Sequence, residues 1–290
     1  MKVRAVFCCL CFFQALLYGN GAALAIAGYP VASLAGSVKE IKEYTGSSLE
    51  NLTVKRIVTL NEWGNVVTEE LYSKAGLVSS RNTYSYNEEG LLKEIVGNRS
   101  GEAGQWRYEF RYDERGNLQE ELSWACNGYL EWRNVYHYNR RGLLAEKVVY
   151  QGEDSETMRE LYRYTDDGKL AHWLILFPDG KLLKQVDFIY NDMGLISEEK
   201  YHNEDSLYKR KRYYYNKNAV WERVQTDNGR GEDEETTLYF YNGDGQLVEK
   251  ITRNADGGIV LRFVISYDHM GNEFSRIDSS GNYLLKEIIY

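Results

Sequence analysis

Phe110-Arg111-Tyr112-Asp113-Glu114-Arg115-Gly116-Asn117-Leu118 is the stretch whose reading decides the fold. Two aromatic residues spaced by one place both rings on one face of a strand. Asp113 and Gly116 then supply the residue types that close a tight turn. The string returns as Tyr84-Ser85-Tyr86-Asn87 to Gly90, Tyr136-His137-Tyr138-Asn139 to Gly142, Tyr162-Arg163-Tyr164-Thr165 to Gly168, and Phe188-Ile189-Tyr190-Asn191 to Gly194. Further copies are Tyr213-Tyr214-Tyr215-Asn216, Phe240-Tyr241-Asn242 to Gly245 and Tyr267-Asp268 to Gly271. The second tyrosines stand at 86, 112, 138, 164, 190, 215, 241 and 267, a period of 26 with one step of 25. One period earlier lies a degenerate copy, Leu60-Asn61-Glu62-Trp63-Gly64, so nine copies fill residues 55–290.

A second turn sits about half a period along each copy, as in Cys126-Asn127-Gly128, Pro178-Asp179-Gly180, Asp256-Gly257-Gly258 and Ser280-Gly281-Asn282. Each copy therefore reads as strand, turn, strand, turn. The chain as a whole is predicted to be all-β, an antiparallel hairpin meander of seventeen or eighteen strands. Composition agrees, with 25 Tyr and 26 Gly but only 2 Pro, a balance that favours strands and tight turns over helices.

The period of two predicts the faces. Leu118, Glu120, Leu122 and Trp124 share a side with Leu130, Trp132, Asn134, Tyr136 and Tyr138, while Gln119, Glu121, Ser123, Glu131, Arg133 and His137 point the other way. A flat ribbon with one aromatic face would leave that face in water, so the sheet is expected to curl into a spiral, barrel-like or sandwich-like coil. Four residues after each glycine position stand Thr68, Glu94, Glu120, Glu146, His172, Glu198, Arg223, Glu249 and Ser275, read as a polar column within the aromatic face. One residue per copy in one environment is an architectural pattern. Catalytic acids and bases need environments that differ.

This repeat resembles the tyrosine-aspartate (YD) or rearrangement-hotspot (RHS) repeat of bacterial secreted and surface proteins. The resemblance implies a β-hairpin array curled into a spiral or shell. Asn often stands for Asp, the period is longer than the family's commonest one, and no C-terminal toxin domain follows Tyr290, so the toxin-delivery role is not expected here.

The N-terminus reads as an export signal: Lys2 and Arg4, an apolar stretch from Ala5 to Tyr18, and small residues ending at Ala25 or Ala27. Residues 1–25 are assigned to this signal, 26–54 to a linker and capping strand, and 55–290 to the repeat domain. Cleavage would remove Cys8, Cys9 and Cys11, leave Cys126 without an intramolecular disulfide partner, and leave no stable membrane span. The expected location is the periplasm, the cell surface or the extracellular space.

The net charge of −8 opposes general nucleic-acid binding. Lys209-Arg210-Lys211-Arg212 is basic, but alternation along a strand sends two charges to each face. Asp-Gly turns lack the spacing of a calcium loop, and His137, His172, His202 and His269 lack zinc-type spacing. No nucleophile elbow or phosphate loop is present, so neither a cofactor, a metal nor an enzymatic activity is expected. One departure from the two-face rule marks a candidate partner patch: Leu161, Trp173, Ile175, Phe177, Leu183 and Ile189 fall on the side that is polar elsewhere. The expected function is a binding or scaffold module for a protein partner. The alternative is a carbohydrate- or peptidoglycan-binding module using exposed aromatics.

Overall fold

The computed structural model describes residue 34, residues 36–99, residue 101, residues 104–204 and residues 206–290. The expected signal segment lies outside the described residues. Twenty strands follow one another as β1 (Glu40–Gly46), β2 (Thr53–Leu60), β3 (Val66–Tyr72), β4 (Val78–Tyr86), β5 (Leu92–Arg99), β6 (Trp106–Tyr112), β7 (Leu118–Trp124), β8 (Leu130–Tyr138), β9 (Leu144–Gln151) and β10 (Ser155–Tyr164). The second half comprises β11 (Leu170–Leu176), β12 (Leu182–Tyr190), β13 (Ile196–Asn203), β14 (Ser206–Tyr215), β15 (Trp221–Asn228), β16 (Asp233–Tyr241), β17 (Leu247–Asn254), β18 (Ile259–Tyr267), β19 (Glu273–Asp278) and β20 (Tyr283–Ile289). Each strand pairs antiparallel with the next, and β1 pairs with both β2 and β20, so the meander closes into a barrel. Closure removes the two sheet edges that would otherwise expose unpaired backbone groups.

The turns explain the sequence signature. The Asp113 N–H donates to the Asn117 carbonyl at 2.9 Å and the Gly116 N–H donates to the Asp113 carbonyl at 3.0 Å. The Asp113 Oδ1 accepts from the N–H groups of Arg115 and Asn117 at 2.9 and 2.8 Å. The position asks only for a side-chain acceptor, so Asn139 serves equally, and the Thr165 Oγ1 accepts from the Lys169 N–H at 3.0 Å. Gly116 takes φ 79°, a left-handed conformation that costs an L-residue strain. In the copy without a glycine the same place is held by Ala219 at φ 60°.

The second tyrosine of each copy clamps the end of the barrel where neighbouring hairpins would splay. Its hydroxyl donates to a backbone carbonyl of the preceding copy: Tyr86 to Val66, Tyr112 to Leu92, Tyr138 to Leu118 and Tyr164 to Leu144, at 2.7–2.8 Å. Tyr190, Tyr215, Tyr241 and Tyr267 repeat the bond to Leu170, Ile196, Trp221 and Leu247 at 2.7–2.8 Å.

Immediately after each of these turns the second strand carries one extra residue. Tyr112 faces Leu118, but Arg111 faces Glu120, which leaves Gln119 as a β-bulge. The same shift occurs in all nine copies. One added residue reverses which side chains point inward. The strict alternation expected from the sequence therefore fails beyond Leu118. Glu121 and Ser123 share the face of Tyr136, Asn134 and Trp132, whereas Glu120, Leu122 and Trp124 lie on the opposite face. A second bulge, at Glu131, puts Leu130 opposite Trp124 on that same face. The polar column read inside the aromatic face is thus an outer column.

The aromatic face is the crowded, concave one: Tyr84, Phe110, Tyr136, Tyr162, Trp173 and Phe188 are all buried. Two apolar clusters follow consecutive strands round the wall, one over β1–β6 and one over β8–β12. On the outer face the column pairs with arginines: Arg111 with Glu120 at 2.9 Å, Arg159 with Glu146 at 2.7 Å and Arg262 with Glu249 at 2.6 Å.

Two outcomes follow. Replacing Ala219 by Gly relieves the left-handed strain and raises the unfolding free energy by about 1 kcal/mol, measured by denaturant titration. Burial pushes the hydroxyls of Tyr86, Tyr112, Tyr138 and Tyr190 from 10 up to about 12. Because the folded values are raised, the stability they contribute is intact below pH 10 and is lost as pH rises from 10 through about 12. Circular dichroism across that window will show alkaline unfolding coincident with the 295 nm rise of tyrosinate.

Candidate functional site

The bulge at Ala171 decides where the sequence-marked patch sits. His172 faces Arg163 and Tyr164 faces Leu170, so parity reverses on β11. Trp173 and Ile175 consequently point inward, at 7% and 8% exposure, within the second apolar cluster. This corrects their placement in an exposed patch. The Trp173 indole N–H donates to Glu160 at 2.9 Å, and the Tyr162 hydroxyl donates to the same carboxylate at 2.8 Å. Lys147 completes the group at 3.3 Å, so the buried Glu160 charge is both paired and hydrogen-bonded.

The other four residues remain accessible or outward. Leu161 pairs with Leu174 on the outer face, and Ile189 lies outward at 37% exposure. Phe177 opens the β11–β12 turn at 45%, and Leu183 is a bulge residue at 40%. The places vacated by Trp173 and Ile175 are taken by Leu174 and Leu176, the latter facing Leu182. Three neighbouring strands thus carry an apolar outer surface of Leu161, Leu174, Leu176 and Leu182, with Phe177 at its rim, while Ile189 lies beyond Gln185 and Asp187 on β12 and faces Glu198. Counting the bulge after each of the nine aromatic-pair turns would have found Leu174 and Leu176, since the shift recurs in every copy.

Beside this patch, Asp187 collects three polar neighbours. His172 Nδ1 is 2.8 Å from its Oδ1, Gln185 donates at 2.6 Å, and His202 Nε2 is 3.1 Å from its Oδ2. Burial alone would raise the Asp187 carboxyl, but the bonds from His172 and Gln185 outweigh it and hold it below the ordinary carboxylate value. Among the described residues no cluster of His, Cys, Asp or Glu is arranged to hold a metal ion.

Comparison with known proteins adds little to this geometry. A family model described as an uncharacterised protein matches residues 59–189. No curated protein matches. Among solved structures, the Tc holotoxin pore of Photorhabdus luminescens is similar at 11% identity over 81% of this chain and 16% of that one, with a TM-score of 0.33. A porin-like protein from Bacteroides uniformis is similar at 10% identity over 88% and 99% of the two chains, TM-score 0.40. The N-terminal domain of the effector SpvB from Salmonella typhimurium is similar at 12% identity over 83% and 86%, TM-score 0.18. All three scores lie below 0.5, too low for the likeness to bear on this chain's activity.

The two faces predict opposite mutational outcomes. Trp173→Asp removes a buried indole and sets a second carboxylate beside Glu160, so it lowers stability by more than about 4 kcal/mol. Ile189→Ser, on the outer face, changes stability by no more than about 0.5 kcal/mol. Thermal unfolding of the two variants beside the parent measures both.

Proposed function

We propose that the chain is a non-enzymatic binding or scaffold module that acts outside the cytoplasm and engages a protein partner through the outer face of β10–β12. One observation carries this reading. The outer face elsewhere bears cross-strand ion pairs such as Arg111–Glu120 and Arg262–Glu249, whereas on β10–β12 Leu161 faces Leu174 and Leu176 faces Leu182, with Phe177 at the edge of the four. A contiguous apolar area within a charged surface is the usual mark of a protein contact.

The same ion pairs bear on membranes. A barrel embedded in lipid needs an apolar outer band, and here the strands carry Glu120, Glu146 and Glu249 with their arginines on that side. A surface wetted on its outside fits the observations better. For glycan binding, exposed rings must lie side by side. Trp63 and Tyr129, exposed at 77% and 61%, stand beside Gly64 and Gly128 at opposite ends of the barrel. They form no common stacking platform, and where rings do lie side by side, at Tyr213, Trp221 and Tyr239, Trp221 alone of the three is exposed, so the protein-partner reading is preferred.

Immobilised protein, a Phe177→Ser/Ile189→Ser variant and a Phe240→Ser control on another part of the wall are to be exposed to envelope extract, then eluted and identified. A protein held by the parent and the control but not by the double variant, with equal melting temperatures, is the expected result. Equal retention by all three, or retention of no protein, defeats the proposal. A glycan array run in parallel is expected to stay blank.

A further inference from the structure

The inner face is not uniform in charge. Over β2–β11 its ionic groups are matched within small networks. Glu69 is paired with Arg56 and accepts from Asn82 at 2.7 Å and Tyr84 at 3.0 Å. Glu121 accepts from Asn134 at 2.8 Å and Tyr136 at 3.0 Å. Glu160 has Lys147, Tyr162 and Trp173 around it.

Beyond β11 the balance inverts. Alternation along β14 sends Arg210 and Arg212 outward, where both pair with the fully buried Asp227 at 3.0 and 3.1 Å. Lys209 and Lys211 therefore point inward, opposite Tyr201 and Glu199. Lys184 reaches the same place from β12. The ammonium groups of Lys184, Lys209 and Lys211 stand 5.1, 5.8 and 5.7 Å from the centre of the Tyr201 ring. From the other side comes Lys250, 5.8 Å from the Tyr239 ring.

Among the described residues, two carboxylates face this group, Glu199 and Glu235. Glu199 is engaged by the hydroxyls of Tyr201 and Tyr213. Glu235 lies opposite Thr226. Among the described residues, none of Lys209, Lys211 and Lys250 lies in an ion pair. Four cations converge on a half-buried surface of a chain whose net charge is −8, so the excess is local and not compositional. Like charges so placed repel, and they persist where an anion completes the site.

We propose that Lys184, Lys209, Lys211 and Lys250 form a binding site on the inner face of β12–β17 for a ligand bearing a multivalent oxyanion, phosphate or carboxylate. Ammonium groups on flexible stems suit either anion as point charges. The ring faces of Tyr201 and Tyr239 hold the stems in place. Burial lowers the Lys211 ammonium below its usual value, and Lys209 and Lys250 add to that effect against the pull of Glu199 and Glu235. The inference is independent of the outer patch.

Inorganic pyrophosphate and citrate are the two probes, each added at ionic strength matched with sodium chloride, with thermal unfolding and calorimetry as readouts. At least one probe is expected to raise the melting temperature beyond the chloride control. Pyrophosphate alone assigns a phosphate ligand, citrate alone a polycarboxylate, and a response to both a general oxyanion site. Lys209→Met/Lys211→Met keeps the aliphatic stems and is expected to weaken binding at least tenfold, while its own melting temperature without anion stays level or rises because repulsion is removed. Lys181→Met, in an exposed turn, is expected to bind like the parent. No shift with either probe, undiminished binding by the double variant, or a fall in its unliganded melting temperature overturns the proposal.

Discussion

Everything in this barrel depends on the extra residue that follows each aromatic-pair turn. The turn itself fixes only direction: a glycine in the left-handed region and an Asn, Asp or Thr acceptor reverse the chain. The bulge then sets parity, so that Glu121 and not Glu120 meets Asn134 and Tyr136. Without that shift the outer ion pairs would lie among the tyrosines, as unpaired charges in a crowded apolar layer. The regular hydroxyl-to-carbonyl bonds of Tyr86 through Tyr267 follow from the same geometry, because the bulge leaves the carbonyl opposite one tyrosine within reach of the next.

Closure is the second constraint. An array of nine hairpins ends in two edges, and a strand from the segment preceding the repeats joins them. Glu40 faces Thr59 on one side and Ile289 on the other. Tyr44 bonds to Glu287, and the Tyr290 hydroxyl bonds to Asp268, so the last strand is fixed by side chains as well as by its ladder. The closed wall separates two chemistries that a flat sheet would place equally in water. Outside lie arginine–glutamate pairs with leucines between them, among these Leu161, Leu174, Leu176 and Leu182. Inside, saturated carboxylate networks over one half give way to a lysine cluster over the other.

Much of this was legible in the sequence. The spacing of the second tyrosines gave the hairpin unit, the copy number and the all-β class. The alternation of Lys209-Arg210-Lys211-Arg212 gave two charges to each face, as the structure has it within β14. The candidate patch was half legible. Leu161, Phe177, Leu183 and Ile189 stand exposed or outward, but Trp173 and Ile175 were assigned by simple alternation across a bulge that adds one to the count.

The sequence by itself determined the hairpin, the turn chemistry and the aromatic content, because these are local: they depend on residues within one period. Only the tertiary structure decided which residue of each adjacent pair faces inward, that a strand outside the repeats closes the ring, and that Lys184 and Lys250 meet Lys209 and Lys211. Those outcomes depend on register between strands, and register is a relation between distant residues that no single stretch of chain contains.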